Sequence, residues 1–344
     1  MPWRARRHRI SGWSASSRAV SDWPLPFTCS CCSGGCEMWK DRIRPWVRPL
    51  PQWSPVAVAP PQTLVTASLR WNGESADATA DHTVASLRPL TLATSIDAGA
   101  SPDLEYRDSA NGRLLGILRL ARTAPVAAAD TSLVLYQVVA GEHHCLGWPR
   151  RSWNAWLQNR AMLKNRSPHN PGVEPAAAQQ LMIAYLCPRP VVLVSVETPW
   201  HRNIFPMDLI GPLRRSGFFS LALRSTNVSA PVMRETRRVA LSGAPAHLKA
   251  IIYGLAEHHK RPLDDWNELS FPVRPSREFG IPAVADAPHI QELAIVHSQE
   301  IGSHTFFFGR VVSDETPAAG AQLHHTAGFH QAWRRRSGTP FAEA

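Results

Sequence analysis

The densest set of residues able to do chemistry lies at 224–229. Arg224, Ser225, Thr226, Asn227 and Ser229 bring a guanidinium, three hydroxyls and an amide into one short stretch. An apolar run, Phe218-Phe219-Ser220-Leu221-Ala222-Leu223, precedes them, and 229–236 reads as a short helix. Where a strand hands over to a helix, backbone N–H groups are free and the helix dipole favours an anion. Arginine can hold two phosphate oxygens at once. The cluster therefore suits a phosphate. Taken alone, the plainer reading is a helix cap formed by Thr226, Asn227 or Ser229.

Other candidates are scattered. His304 opens a run of Phe and Val, where a lone histidine is commonly structural. His143-His144-Cys145, His258-His259 and His324-His325 carry metal-binding side chains. Neighbours on a strand face opposite sides, so no metal site is expected from them. Cys29, Cys31, Cys32 and Cys36 are too cramped for the paired spacing of a structural zinc site. The isolated Cys145 and Cys187 suit a reducing, cytoplasmic setting. No G-x-G-x-x-G, G-x-x-x-x-G-K, H-E-x-x-H or G-x-S-x-G occurs. A Rossmann nucleotide site, a phosphate loop, a zincin and a nucleophile elbow are therefore unsupported.

The elements that must position these residues are mostly strands. Apolar runs at 190–196, 218–224, 238–242 and 304–312 are strand-sized, with a partly alternating stretch at 291–297. Helical spacing occurs at 175–186 and at 245–258, where Leu248, Ile251, Ile252 and Leu255 share a face. A long loop is expected over 259–287. Upstream, strands are expected at 64–69, 114–118 and 132–139, and Asn111-Gly112 is a hairpin-turn signal because both residues tolerate positive φ. This divides the chain into a basic, Cys- and Pro-rich extension at 1–61, expected to be disordered, with Met38 as an alternative start. A β-rich N-terminal domain follows at 62–145, a helical connector at 146–180, a barrel domain at 181–314 and a basic C-terminal tail at 315–344.

The formal net charge of +10 over 344 residues does not indicate a nucleic-acid partner. Residues 1–50 hold nine Lys/Arg against three Asp/Glu, and Arg334-Arg335-Arg336 adds three more. The excess sits in the terminal segments, without a helix-turn-helix, zinc-finger or RNA-binding signature. No apolar run is long enough for a transmembrane helix, so no membrane partner is expected. Arg6-Arg7 lacks the apolar stretch that an export signal needs.

Three patterns in order resemble the flavin reductase-like, FMN-binding split-barrel family. The first is a strand and polar turn reaching Asn203, followed by Ile204-Phe205-Pro206-Met207-Asp208. The second is the strand running into Arg224-Ser225-Thr226-Asn227-Val228-Ser229. The third is a late strand pair joined through Gly302-Ser303-His304. The resemblance implies a mainly β fold with some α: a split antiparallel β-barrel with a β-rich N-terminal accessory region, itself a degenerate copy of the same barrel. It implies an NAD(P)H-dependent oxidoreductase that passes hydride from nicotinamide to FMN, with FAD also possible. It implies a homodimer with flavin at the interface and a partner oxygenase. Asn203 and Met207 would lie by the flavin ring, Arg224, Ser225, Thr226, Asn227 and Ser229 by the phosphate, and His304 by the reacting centre. The sequence departs from the family at 205–208, where hydroxyl residues are common and Asp208 instead brings a negative charge. That departure supports the alternative of a non-catalytic flavin- or phosphate-ligand-binding barrel.

Overall fold

The computed structural model describes residues 49–59, 64–123, 126–128, 131–164 and 174–344. The four clustered cysteines, and most of the extension assigned to 1–61, lie outside the described residues. The unit described is the one that begins at Pro45.

In chain order the elements are β1 (Trp53–Val58), β2 (Val65–Trp71), β3 (Glu74–Asp77), β4 (Thr83–Leu87), β5 (Leu90–Thr94), β6 (Asp103–Asp108), β7 (Leu114–Arg122), β8 (Val126–Ala128) and β9 (Thr131–His143). Two helices follow, α1 (Trp148–Lys164) and α2 (Pro175–Ala184). Then come β10 (Arg189–Pro190), β11 (Val192–Thr198), β12 (His201–Met207), β13 (Ile210–Leu213), β14 (Phe218–Arg224), α3 (Ala230–Thr236) and β15 (Arg238–Gly243). The excursion after β15 contains α4 (Lys249–Gly254), the 3-10 turn Leu255–His259, β16 (Val273–Pro275) and β17 (Pro282–Val284). Last are β18 (Ile290–Ile301), β19 (His304–Glu315), β20 (Gln322–Ala327), α5 (Gly328–Arg336) and β21 (Ala342–Glu343).

Two large antiparallel sheets dominate. The C-terminal sheet runs β12-β11-β15-β18-β19-β14-β13. The N-terminal sheet runs β3-β2-β6-β7-β9-β5-β4, with β8 paired to β9. The orders are the same if β2, β3, β4, β5, β6, β7 and β9 replace β11, β12, β13, β14, β15, β18 and β19 in turn. Each half is thus two hairpins followed by three strands, woven alike. The fold is mainly β, a split antiparallel barrel preceded by a β region of the same topology.

Burial follows the local sequence. Strand β6 alternates strictly, with Leu104, Tyr106 and Asp108 inward, as expected of a sheet with one covered face. Strand β19 does not alternate: Phe306, Phe307 and Phe308 are all fully buried, so both of its faces are covered. One continuous apolar core contains residues of both sheets, from Leu69 and Tyr136 to Leu241 and Phe307. Burying a side chain of this size stabilises by roughly 1.5–3 kcal/mol, so the two halves hold together by core packing.

Several sequence expectations take a different form. The single helix expected over 245–258 is broken into a 3-10 turn, the short α4 and a second 3-10 turn. The loop 259–287 carries the small β16–β17 pair. The segment 315–344, read as a basic tail, folds as β20, α5 and β21, with Phe329, His330 and Trp333 buried. Its three arginines are engaged: Arg334 lies over Phe341, Arg335 pairs with Glu343 and Arg336 donates to the Cys145 carbonyl at 2.8 Å. Among the described residues no helix is long and apolar enough to cross a membrane.

Candidate functional site

The ends of β12 and β14 and the start of β19 converge on one cavity. Arg224 and His304 are cross-strand partners in the β14–β19 ladder, so their spacing is set by sheet geometry. Met207 closes β12, and Pro206, Met207 and Asp208 form a second wall. Thr226 and Asn227, in the turn before α3, form the rim. Ala256 and His259 come from the 3-10 turn and Lys260 directly follows it, and Leu87 comes from the tip of the N-terminal hairpin β4–β5. The cavity measures about 370 Å³, within the roughly 300–1,000 Å³ range of small-molecule sites. A larger groove of about 1060 Å³ lies beside Phe218, Phe219 and Val311, but it gathers none of the site residues expected from sequence.

Five of the eight expected residues line the cavity: Met207, Arg224, Thr226, Asn227 and His304. Asn203 and Ser229 lie beneath it, both fully buried. Asn203 Nδ2 donates to Ser229 Oγ at 2.9 Å and to the His258 carbonyl at 2.8 Å. It therefore fastens the α3 turn to the 3-10 turn. Ser225 points to a neighbouring cluster, donating to Glu300 at 2.8 Å; Arg234 and Thr305 also meet Glu300. The turn is partly self-satisfied. Ser229 N–H donates to Asn227 Oδ1 at 2.8 Å and Ala230 N–H to the Asn227 carbonyl at 3.2 Å. Those two N–H groups are thus used within the turn, and Arg224, Thr226 and Lys260 line the cavity.

His259 ties the walls together. Its Nδ1 accepts from Asn227 Nδ2 at 2.8 Å, and its Nε2–H donates to the Pro206 carbonyl at 3.0 Å. This pair of partners fixes the neutral tautomer, and burial pushes the ring's pKa down. At His304, Leu87 N–H and the Ser303 hydroxyl reach Nδ1 at 3.4 and 2.9 Å, which leaves the proton on Nε2. Burial chiefly, then the charges of Arg224 and Arg88, lower its pKa to about 4. His304 is neutral at pH 7 and offers an N–H donor rather than a fixed positive charge.

Asp208 is not a stray negative charge. Its Oδ2 accepts from Tyr185 at 2.8 Å and from His325 Nδ1 at 2.7 Å, and Tyr253 meets His325 Nε2 at 2.9 Å. Burial pushes the Asp208 carboxyl up. The His325 and Tyr185 hydrogen bonds and the charges of His325 and Arg189 outweigh it and hold the carboxyl below its ordinary value. The carboxylate's charge is met inside the protein, so the cationic rim of Arg224 and Lys260 stays available for an anion. Tyr185, His259, Lys260 and Leu87 were not among the residues expected from sequence. Of these, the sequence singles out only the His258-His259 pair, as metal-binding side chains from which no metal site is expected. No cluster able to hold a metal occurs among the described residues.

Residues 184–332 match the family model for the flavin reductase like domain. The match covers under half of the chain and ends within α5. No match arises among curated protein sequences. Similar solved structures include the NADH:FAD oxidoreductase SgcE6 of Streptomyces globisporus C-1027, at 20% identity over 48% of this chain and 93% of that one, TM-score 0.39. An FMN-binding protein of Thermus thermophilus with bound 1-cyclohex-2-enone matches at 21% identity over 38% and 71%, TM-score 0.33. The styrene monooxygenase flavin reductase of Pseudomonas putida S12 matches at 17% identity over 43% and 93%, TM-score 0.35.

Proposed function

We propose that the chain is an NAD(P)H-dependent flavin reductase that binds FMN, and with an open rim also FAD, in the cavity between β12, β14 and β19. The observation that carries this is the junction of an apolar wall (Leu87, Met207, Leu209, Ala222) with a cationic, hydroxyl-bearing rim (Arg224, Thr226, Lys260). A flat aromatic ring needs the first and a phosphate needs the second. The residues present fit the group: the cavity has the size, and the one carboxylate in its wall is satisfied internally.

Arg224 and Lys260 would hold the phosphate, with Thr226 donating a hydroxyl. Met207 and Leu87 would exclude water from the ring, and Nε2–H of His304 would donate to a polar edge or to the approaching nicotinamide. Bound flavin supplies the hydride-accepting chemistry itself, and the protein orients the reactants. The overall reaction would be NAD(P)H + FMN + H⁺ → NAD(P)⁺ + FMNH₂. Its product suits a separate oxygenase as consumer. The free thiols of the buried Cys145 and the half-buried Cys187, whose pKa values burial raises to about 12, suit a cytoplasmic setting.

The test is the visible spectrum of protein mixed with FMN and desalted, then an NAD(P)H oxidation assay. Retained absorbance near about 370 and 450 nm, belonging to the flavin chromophore, followed by nicotinamide oxidation, supports the reading. Retained flavin without oxidation leaves a non-catalytic flavin-binding barrel. No retention of FMN or FAD removes the flavin claim.

A further inference from the structure

We propose that the chain is an intramolecular pseudo-dimer: its N-terminal sheet acts as the second subunit to the barrel that carries the site, so a single chain binds a single flavin. The proposal rests on the flavin reading above and replaces the homodimer implied by the family resemblance.

The first support is topology. Both sheets have the same strand order, strand for strand. In a two-fold pair, equivalent elements meet each other. Here β4 packs against β13, its counterpart in the other half. Main-chain hydrogen bonds bridge the halves. Ser303 N–H donates to the Arg88 carbonyl at 3.0 Å, and Arg214 N–H to the Ala80 carbonyl at 3.1 Å. Glycines mark the closest approaches. A Cβ on Gly302 would lie 1.9 Å from the Arg88 carbonyl oxygen, and one on Gly211 would lie 3.3 Å from Thr83 Cβ.

The second support is asymmetry. Between β14 and β15 the C-terminal half carries the turn with Thr226 and Asn227 and then α3. Between β15 and β18 it carries the excursion with Ala256, His259 and Lys260. The counterpart connections in the N-terminal half are only 95–102 and 109–113, without a helix. The N-terminal copy therefore lacks the segments that would build a second such site. What it contributes is Leu87, which stands in the cavity wall and hydrogen-bonds His304 through its N–H.

The experiment combines light scattering on the full chain with FMN titration over roughly a hundredfold range of protein concentration, for the wild type and Leu87→Trp. The expected result is one FMN per monomer, with an affinity independent of protein concentration. Leu87→Trp, with an unchanged circular dichroism spectrum, should bind about tenfold more weakly or worse because the larger side chain fills the wall. If Leu87→Trp does not fold, Leu87→Ala takes its place, with a weakening of about threefold expected from lost wall contact. FMN bound only by a species of twice the chain mass, or an affinity that tightens as chains associate, overturns the proposal, because a second copy then completes the site. Equal FMN affinity in wild type and folded variant also overturns it. Wild type that binds no flavin at any concentration removes the flavin reading and this proposal together, a result recognisable before any variant is made.

Discussion

Substitution of Gly302 by alanine tests the junction between the two halves. Gly302 has φ +55 in the turn from β18 to β19, and its added Cβ would sit 1.9 Å from the Arg88 carbonyl oxygen, in backbone that cannot swing aside like a side chain. The hairpin β4–β5 would have to retreat by about an ångström to restore a tolerable contact. That retreat strains or breaks the Ser303 N–H to Arg88 bond, worth about 1 kcal/mol. Left-handed backbone costs an L-residue roughly another 1 kcal/mol, and displaced packing about 1–2 kcal/mol. The expected loss is about 3–4 kcal/mol in urea unfolding, together with weaker FMN binding as Leu87 withdraws. Gly217→Ala is the control. It also has positive φ, +71, but open space at its Cβ, so only the backbone cost of about 1 kcal/mol is expected. Equal destabilisation of the two variants would refute the reasoning, because the hairpin contact would then contribute nothing.

Arg224→Ala is expected to weaken FMN binding by about tenfold, the scale of one exposed charge-assisted hydrogen bond, while leaving riboflavin, which has no phosphate, unaffected; parallel titrations check this. Asp208→Asn removes the charge that His325 and Tyr185 bond and that offsets the charge of the buried Arg189, whose Nε and Nη2 have no hydrogen-bond partner among the described residues. A loss of about 2–4 kcal/mol in urea unfolding is expected. The buried His82, His304 and His330 have pKa values lowered by burial to about 4, 4 and 3. Unfolded histidine takes its proton near pH 6.5, so below that pH the unfolded chain binds more protons than the folded one. Stability should be level above about pH 6.5 and fall steadily toward pH 4, by several kcal/mol in all; chemical unfolding at stepped pH measures it.

The barrel was legible in the sequence where the signal is local. The runs at 190–196, 218–224 and 304–312 have the length and composition of strands, and the turns at Gly112 and Gly302 do adopt positive φ. The residues that line the cavity were legible where they sit on or just past those strands: Met207, Arg224, Thr226, Asn227 and His304. Leu87, Tyr185 and His259 were not, because each reaches the cavity through a pairing of distant segments that no local pattern records. Asn203 and Ser229 look like ligand donors in sequence. Only the fold shows that their polar atoms are spent on one another and on the His258 carbonyl. The C-terminal arginines misled for a related reason: a triplet of like charge reads as a solvated tail, while the apolar partners that anchor α5 lie far away in sequence.

The shared weave of the two sheets also creates a hazard during folding. A nascent chain that holds two hairpin-hairpin-three-strand sets can join strands of one set to the other, an error characteristic of repeated architectures. Side-chain divergence guards against it. Strand β19 offers three consecutive phenylalanines, whereas its counterpart β9 places Leu133, Val134, Leu135 and Tyr136 in the core, so an exchanged strand would leave voids or clashes. The differences between the copies thus act as a sorting code, and substitutions that make β9 and β19 more alike should lower the yield of correctly folded chain before they alter the native structure.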